Sequence, residues 1–181
     1  AKMAEEVAYA IKENQNLVIE AGTGIGKTFA YLVPALLSGQ KIIISTGTKT
    51  LQDQLYHRDL PLISKAIGRP LSTALLKGRS NYLCLNRAKL ATSNDKYIAR
   101  DLKLVNQWLH QTIVGDRSEL IDISETSSVW PMVTSTIDNC LGRKCPEYND
   151  CHVVKARKNA QESDLVVINH HLLLADLTIK D

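Results

Sequence analysis

The chain has 181 residues, of which 44% are hydrophobic and 23% charged, enough for a folded domain with a sizeable core. Lysine and arginine number 22 against 19 acidic residues, and the net charge of +3 is too small by itself to argue for nucleic acid. No apolar run reaches bilayer-spanning length and no charged-then-apolar leader opens the chain. That excludes a spanning helix and predicts a cytoplasmic protein without a membrane partner.

Residues 5–11 already follow a helical pattern, so the sequence reads as a piece of a longer chain. Leu17–Glu20 is a short apolar strand candidate that runs into a glycine-rich loop. Lys27–Ser38 is expected to be a helix stopped by Gly39, and Lys41–Ser45 a buried strand. Thr48 to about Arg58 is expected to be a second helix. A third is expected over Pro61–Ile67, opened by the proline and stopped at Gly68, with a strand over Thr73–Leu76. Strands alternating with helices predict an α/β domain with a parallel sheet.

The texture changes over residues 77–163, which hold all four cysteines and almost no strand pattern. Ile98, Leu102, Val105 and Leu109 recur at helical spacing, an acidic loop follows over 116–125, and a basic helix is expected after Cys151. Leu165–Ile168 reads as another buried strand. The simplest division is one α/β domain over 1–76 and 164–181, interrupted by an insertion with its own small core.

Residues 21–28 read Ala-Gly-Thr-Gly-Ile-Gly-Lys-Thr. This is the phosphate-loop pattern with Ala21 in place of the first glycine. Glycines let backbone N–H groups turn toward phosphate oxygens, and the following helix points its positive end at the same anion. Lys27 is expected to reach the β- and γ-phosphates and Thr28 to ligate Mg²⁺. Hydrolysis also needs an acidic strand end to hold the metal and position water. Asp176 and Asp181 are poor candidates because neither follows a strand, so that element is expected beyond residue 181.

The cysteines are Cys84 and, much later, Cys140-x₄-Cys145-x₅-Cys151. In an intracellular chain, metal ligation or redox chemistry is expected before disulfides. Four thiolates suit a [4Fe–4S] cluster or a structural zinc, and spacing alone does not separate the two. The bland alternative is four unrelated buried thiols. Residues 77–103 carry Lys77, Arg79, Arg87, Lys89, Lys96, Arg100 and Lys103 against Asp95 and Asp101, and Arg143, Lys144, Lys155, Arg157 and Lys158 follow. These cations could stabilise an anionic cluster, bind nucleic-acid phosphates, or form a solvated charged face.

Together these residues resemble one family. Residues 21–28 resemble motif I of superfamily 2 helicases, and residues 44–55 (Ile-Ser-Thr-Gly-Thr-Lys-Thr-Leu-Gln-Asp-Gln-Leu) resemble motif Ia. Residues 77–84 (Lys-Gly-Arg-Ser-Asn-Tyr-Leu-Cys) are similar to the segment carrying the first cluster cysteine of DinG-type helicases, and the later cysteines have that group's spacing. Residues 167–172 resemble the strand and turn shortly before its DEAH box. Residues 130–136 and 153–158 bring the match close to the bacterial YoaA branch.

The resemblance implies an XPD-like, iron–sulfur, ATP-dependent DNA helicase that moves 5′→3′ on single strands. This chain would hold the first part of RecA-like motor domain 1 (1–76), an inserted, mainly helical iron–sulfur domain (77–163) and the return to the motor domain (164–181), truncated before the DEAH box. Ala21, Gly22, Thr23, Gly24, Ile25, Gly26, Lys27 and Thr28 would bind ATP·Mg²⁺, and Cys84, Cys140, Cys145 and Cys151 would hold a [4Fe–4S] cluster. Thr46 and Thr48 would contact DNA phosphates, with a plain helix cap as the alternative for Thr48; Gln52 and Gln54 are weaker candidates, expected to be solvated helix glutamines instead. Arg79 would serve a cluster thiolate or a DNA phosphate. Tyr82 and Trp108 are expected in the core, with base stacking as the alternative, and His170 and His171 in structural or capping roles. Single-stranded or forked DNA would be the substrate. A single-strand-binding or polymerase-associated replication protein would be the partner.

Overall fold

A strand that is apolar at every position is stable only where both faces are covered, and a parallel sheet between helices provides that. The computed structural model describes residues 2–22, 24 and 26–178, with side chains described through residue 175. In chain order its elements begin with helices α1 (Lys2–Lys12) and α2 (Lys27–Leu37), strand β1 (Ile42–Thr46), helices α3 (Lys49–Gln54) and α4 (Leu60–Ile67), and strand β2 (Thr73–Leu76). Helices α5 (Leu85–Leu90), α6 (Lys96–Leu109), α7 (Trp130–Val133) and α8 (His152–Glu162) follow, then strand β3 (Leu165–Asn169) and helix α9 (His170–Thr178). The chain divides into two compact units, Ala1–Leu76 with Glu162–Asp181, and Lys77–Gln161.

In the first unit the three strands are parallel in the order β1-β3-β2. Leu165 pairs with both Ile42 and Thr73, and Val167 with both Ile44 and Leu75. β3 is therefore central, and Leu165, Val166, Val167 and Ile168 are all buried. Leu165 and Val167 pack with Leu32 and Leu36 of α2, Leu55, and Leu60 and Ile63 of α4.

Three expectations fail here. The strand expected to be buried over Lys41–Ser45 is the edge strand β1, with Ile43 57% exposed, because the sheet covers it on one side only. Leu17–Glu20 forms no strand, and Val18 is 98% exposed. Among the described residues no strand runs beside it to take its N–H and C=O groups, and an apolar run alone does not make a ladder. The expected break before Pro61 is also absent. A π-helical turn over Leu55–Asp59 carries α3 directly into α4, with the Leu60 N–H donating to the Leu55 carbonyl. The wider turn accommodates a proline ring that would press on the carbonyl four residues back in a regular helix.

In the second unit, Leu83, Ala88, Leu102, Val105, Trp108, Ile123, Val129, Trp130 and Val133 form a separate core. Backbone bridges replace sheet: Tyr82 pairs with Asp116 and Leu83 with Thr134, both antiparallel. Tyr82 is 2% exposed, and its hydroxyl accepts from the Lys77 N–H at 3.0 Å. Trp108 is buried, and its indole N–H donates to Glu119 at 3.0 Å. Both rings thus belong to the core.

Two buried polar features hold this unit. Lys77 Nζ meets Asp116 Oδ2 at 2.7 Å, with side chains 5% and 12% exposed. Asp116 Oδ1 also accepts from the Ser118 N–H at 2.9 Å. The buried His152 ring packs on Gly115, whose φ of +70° suits glycine and where a Cβ would lie 2.4 Å from the ring. Burial holds the His152 pKa below the ordinary histidine value, and the Lys155 charge pushes the same way.

Lys77→Met leaves a buried carboxylate without its cation. It should lower the unfolding free energy by about 3 kcal/mol, measured by urea denaturation followed through tryptophan fluorescence. Adding Asp116→Asn, which removes the charge and keeps the Ser118 acceptor, should restore part of the loss. An equal or larger loss in the double variant would contradict the ion-pair account. For His152 the folded pKa is depressed, so its contribution is complete above about pH 6.5 and is lost as pH falls through the folded pKa. His152→Gln should flatten the acid-side decline of the urea midpoint in metal-free chain. A parental slope in that variant would exclude His152 as its source.

Candidate functional site: phosphate loop, strand-end loop and cysteine cavity

Glycines shape the loop before α2. Gly24 and Gly26 both have φ of +78°, and Gly26 is the helix N-cap with no side-chain cap. The first-turn N–H groups of α2 are consequently left for an anion rather than for a capping oxygen. Lys27 Nζ donates back to the carbonyls of Ala21 at 2.7 Å and Gly22 at 2.6 Å. Thr28, half-buried, is hydrogen-bonded to the Tyr31 hydroxyl. Burial raises the Tyr31 pKa, the Thr28 hydrogen bond opposes this, and the Asp59 charge adds to the rise. Thr23 and Ile25 lie outside the described residues, as does Asp181, while Asp176 falls on α9.

The C-terminal ends of β1 and β3 supply the neighbouring loop. Thr48 is extended and caps α3, its Oγ1 accepting from the Leu51 N–H at 3.2 Å. Thr46 Oγ1 donates to the Thr48 carbonyl at 3.2 Å. Ser45 Oγ and His170 Nδ1 are 2.6 Å apart, and a Cβ on Gly47 would touch the His170 ring at 3.7 Å. Asn169 Oδ1 accepts from the Leu172 N–H at 2.8 Å, so the turn after β3 is itself capped. Thr28, Tyr31, Thr46, Gly47, Asp59 and His170 line one cavity of about 260 Å³. The exposed His171 is not among its lining residues.

Gln52 departs from expectation. It is 1% exposed, and its Nε2 donates to the Leu76 carbonyl of β2 at 3.0 Å and to the Val167 carbonyl of β3 at 3.5 Å. It ties strands rather than facing solvent, whereas Gln54 is exposed.

All four cysteines line a second cavity, of about 570 Å³, within the second unit. None is in a disulfide, and each is half-buried. Cys84 is the N-cap of α5, its N–H donating to the Val133 carbonyl at 2.8 Å. Cys151 immediately precedes α8, and its carbonyl accepts from the Lys155 N–H at 2.9 Å. Two of the thiols therefore sit at helix N-termini. Burial raises the Cys84 pKa, the Arg87 backbone N–H opposes this, and Cys145, Cys151 and Cys140 push it up again. Arg79 Nη1 donates to Cys140 Sγ at 2.9 Å. The Nε atoms of Arg79 and Arg87 are buried without a hydrogen-bond partner. Among the described residues, no three His, Cys, Asp or Glu side chains are grouped closely enough to hold a single metal ion.

The family described as DEAD/DEAH box helicase matches residues 2–126. The chain belongs to the DEAD/DEAH box helicase family. It is 55% identical over 99% of its length to the ATP-dependent DNA helicase YoaA of Escherichia coli strain K12, covering 29% of that protein. Its identity to the YoaA of Haemophilus influenzae is 51%, over 99% of this chain and 29% of that protein. Against the ATP-dependent helicase DinG of Mycobacterium tuberculosis strain H37Rv it is 37%, over 97% of this chain and 30% of that protein. This is a helicase-family chain of the DinG/YoaA type, and it spans less than a third of the length of these relatives. Among the described residues no helix is long and apolar enough to cross a membrane.

In this helicase-family chain, Arg87 was one of many cations in the sequence until the fold placed it at the cysteine cavity, and the cavity shared by Thr28, Asp59 and His170 had no sequence signal. Nothing local signals that Asp59 or His170 approaches Thr28.

Gln52→Leu leaves strand carbonyls buried without their amide donor. It should cost about 2 kcal/mol, read by urea denaturation. A loss below about 0.5 kcal/mol would show that the amide is not holding the strands.

Proposed function

We propose that this chain is the opening part of an ATP-dependent DNA helicase that moves 5′→3′. Residues 1–76 and 164–181 belong to RecA-like motor domain 1, and 77–163 form an inserted iron–sulfur domain that engages and splits DNA. The loop from Ala21 to Thr28 binds ATP·Mg²⁺. Lys27 leaves the carbonyls of Ala21 and Gly22 for the phosphates, and the Thr28 hydroxyl ligates the metal ion. Thr46 and Thr48 meet DNA phosphates. The Thr48 cap uses its oxygen only as an acceptor, which leaves its O–H free to donate. Single-stranded or forked DNA is the substrate. A single-strand-binding or polymerase-associated protein is the partner that the family resemblance favours.

One observation carries the cofactor reading: all four thiols and the Arg79 and Arg87 side chains line one cavity. Four crowded thiols cannot all ionise without a compensating cation, and a metal supplies it by displacing their protons. Zinc would be held by four thiolates at about 2.3 Å, and a [4Fe–4S] core by the same four; the family resemblance favours the larger inorganic core. When bound, a [4Fe–4S] cluster supplies a four-point cross-link and a one-electron couple. The chain's part is to fix Cys84 and Cys151 at helix N-termini and to bring cations beside the thiolates.

Anaerobic purification should yield a brown chain with about four irons and four sulfides. Cys145→Ser should lose them. Lys27→Ala should keep the iron and lose binding of a fluorescent ATP analogue. Zinc in an iron-replete anaerobic preparation would overturn the cluster reading, and unimpaired nucleotide binding by Lys27→Ala would overturn the phosphate-loop reading.

A further inference from the structure

Arg87 stands in the first turn of α5, three residues after Cys84. Its side chain lines the cysteine cavity. The two parts of the guanidinium differ in environment. Nη2 donates to the Pro131 carbonyl at 2.8 Å, which anchors the head group to the first turn of α7. Nε is buried and has no acceptor. With Nη2 anchored, the charged head group is held beside the four thiols.

Arg79 repeats part of the arrangement: one of its nitrogens is engaged, on Cys140. Both side chains line the cysteine cavity, so both bring positive charge to the group it receives. A guanidinium stays charged and, held at one nitrogen, is fixed in orientation.

We propose that Arg87 is a positioning residue for the iron–sulfur cluster. Its guanidinium, fixed in place by the Pro131 carbonyl, brings positive charge to the bound cluster and stabilises the reduced, more negative state. The proposal rests on the cluster reading of the cavity. Hydrogen bonds and positive charge at cluster sulfurs raise the reduction potential. Removing the guanidinium should therefore make the potential more negative and the cluster easier to lose.

The test uses the anaerobically purified 181-residue chain as parent with Arg87→Gln and Arg87→Lys. Iron content, midpoint potential by EPR-monitored titration, and the rate of iron release to a chelator are measured on each. Arg87→Gln should hold its cluster at a more negative potential and release iron several-fold faster. Arg87→Lys, which keeps the charge without the fixed orientation, should shift less in the same direction. An Arg87 that merely links α5 to α7 would change the urea midpoint and leave the potential unmoved. Loaded variants with the parent's potential would thus overturn the proposal. If Arg87→Gln holds no iron, Arg87→Lys decides by the same criterion. If neither holds iron, the metal-free chains decide: parental urea midpoints assign the loss to the missing guanidinium, and lowered midpoints assign it to folding and overturn the proposal. A parent chain without an iron cluster would instead overturn the reading on which the proposal rests.

Discussion

The central place of β3 constrains the rest of the first unit. Its five residues are laddered on both sides, by β1 and by β2, yet both neighbours precede it by a long stretch of chain. The sheet therefore cannot close until residues 77–161 have been passed and the chain has returned. Pairings as distant in sequence as Ile42 with Leu165 carry a loop-closure cost that only a well-buried strand offsets. The unbroken apolar run Leu-Val-Val-Ile is the physical answer to that cost. Gln52 strengthens it by tying β2 and β3 through their carbonyls.

Closure of that sheet also assembles the chemistry. β1 and β3 are parallel neighbours, so their C-terminal ends deliver Ser45, Thr46 and His170 to one edge. The cavity that Thr28 shares with Thr46, Asp59 and His170 lies at this edge, the usual location of ligand sites in open α/β sheets. No single segment builds it. The phosphate loop, the strand-end loop, the π-helical turn and the residue after β3 each contribute one wall.

The two candidate sites meet a common demand in different ways. Each would receive a group of negative charge. The phosphate loop offers backbone N–H groups and a helix N-terminus, with one lysine held in reserve on loop carbonyls. The cysteine cavity offers four thiols, two of them at helix N-termini, and the side chains of Arg79 and Arg87. The first arrangement suits a ligand that comes and goes. The second suits one that stays, because four thiolates would hold it at once.

The sequence by itself determined what short-range chemistry determines. The strands near Ile42, Thr73 and Leu165 were legible because apolar runs bounded by turn signals need no distant information, although only β3 is buried along its length. The phosphate loop was legible because its glycines, lysine and threonine are contiguous. Local reading failed where the deciding partner is remote. Leu17–Glu20 has strand composition, but a strand needs a neighbour, and composition does not say whether one is present. Pro61 looked like a break until a π-helical turn absorbed it. Gln52 looked solvated until the sheet enclosed it. Cys84 joins Cys140, Cys145 and Cys151 around one cavity, which Arg79 and Arg87 also line, only through tertiary structure. Composition and spacing state which groups are available. Burial and hydrogen-bond satisfaction, which depend on the whole fold, decide which of them are left waiting for a ligand.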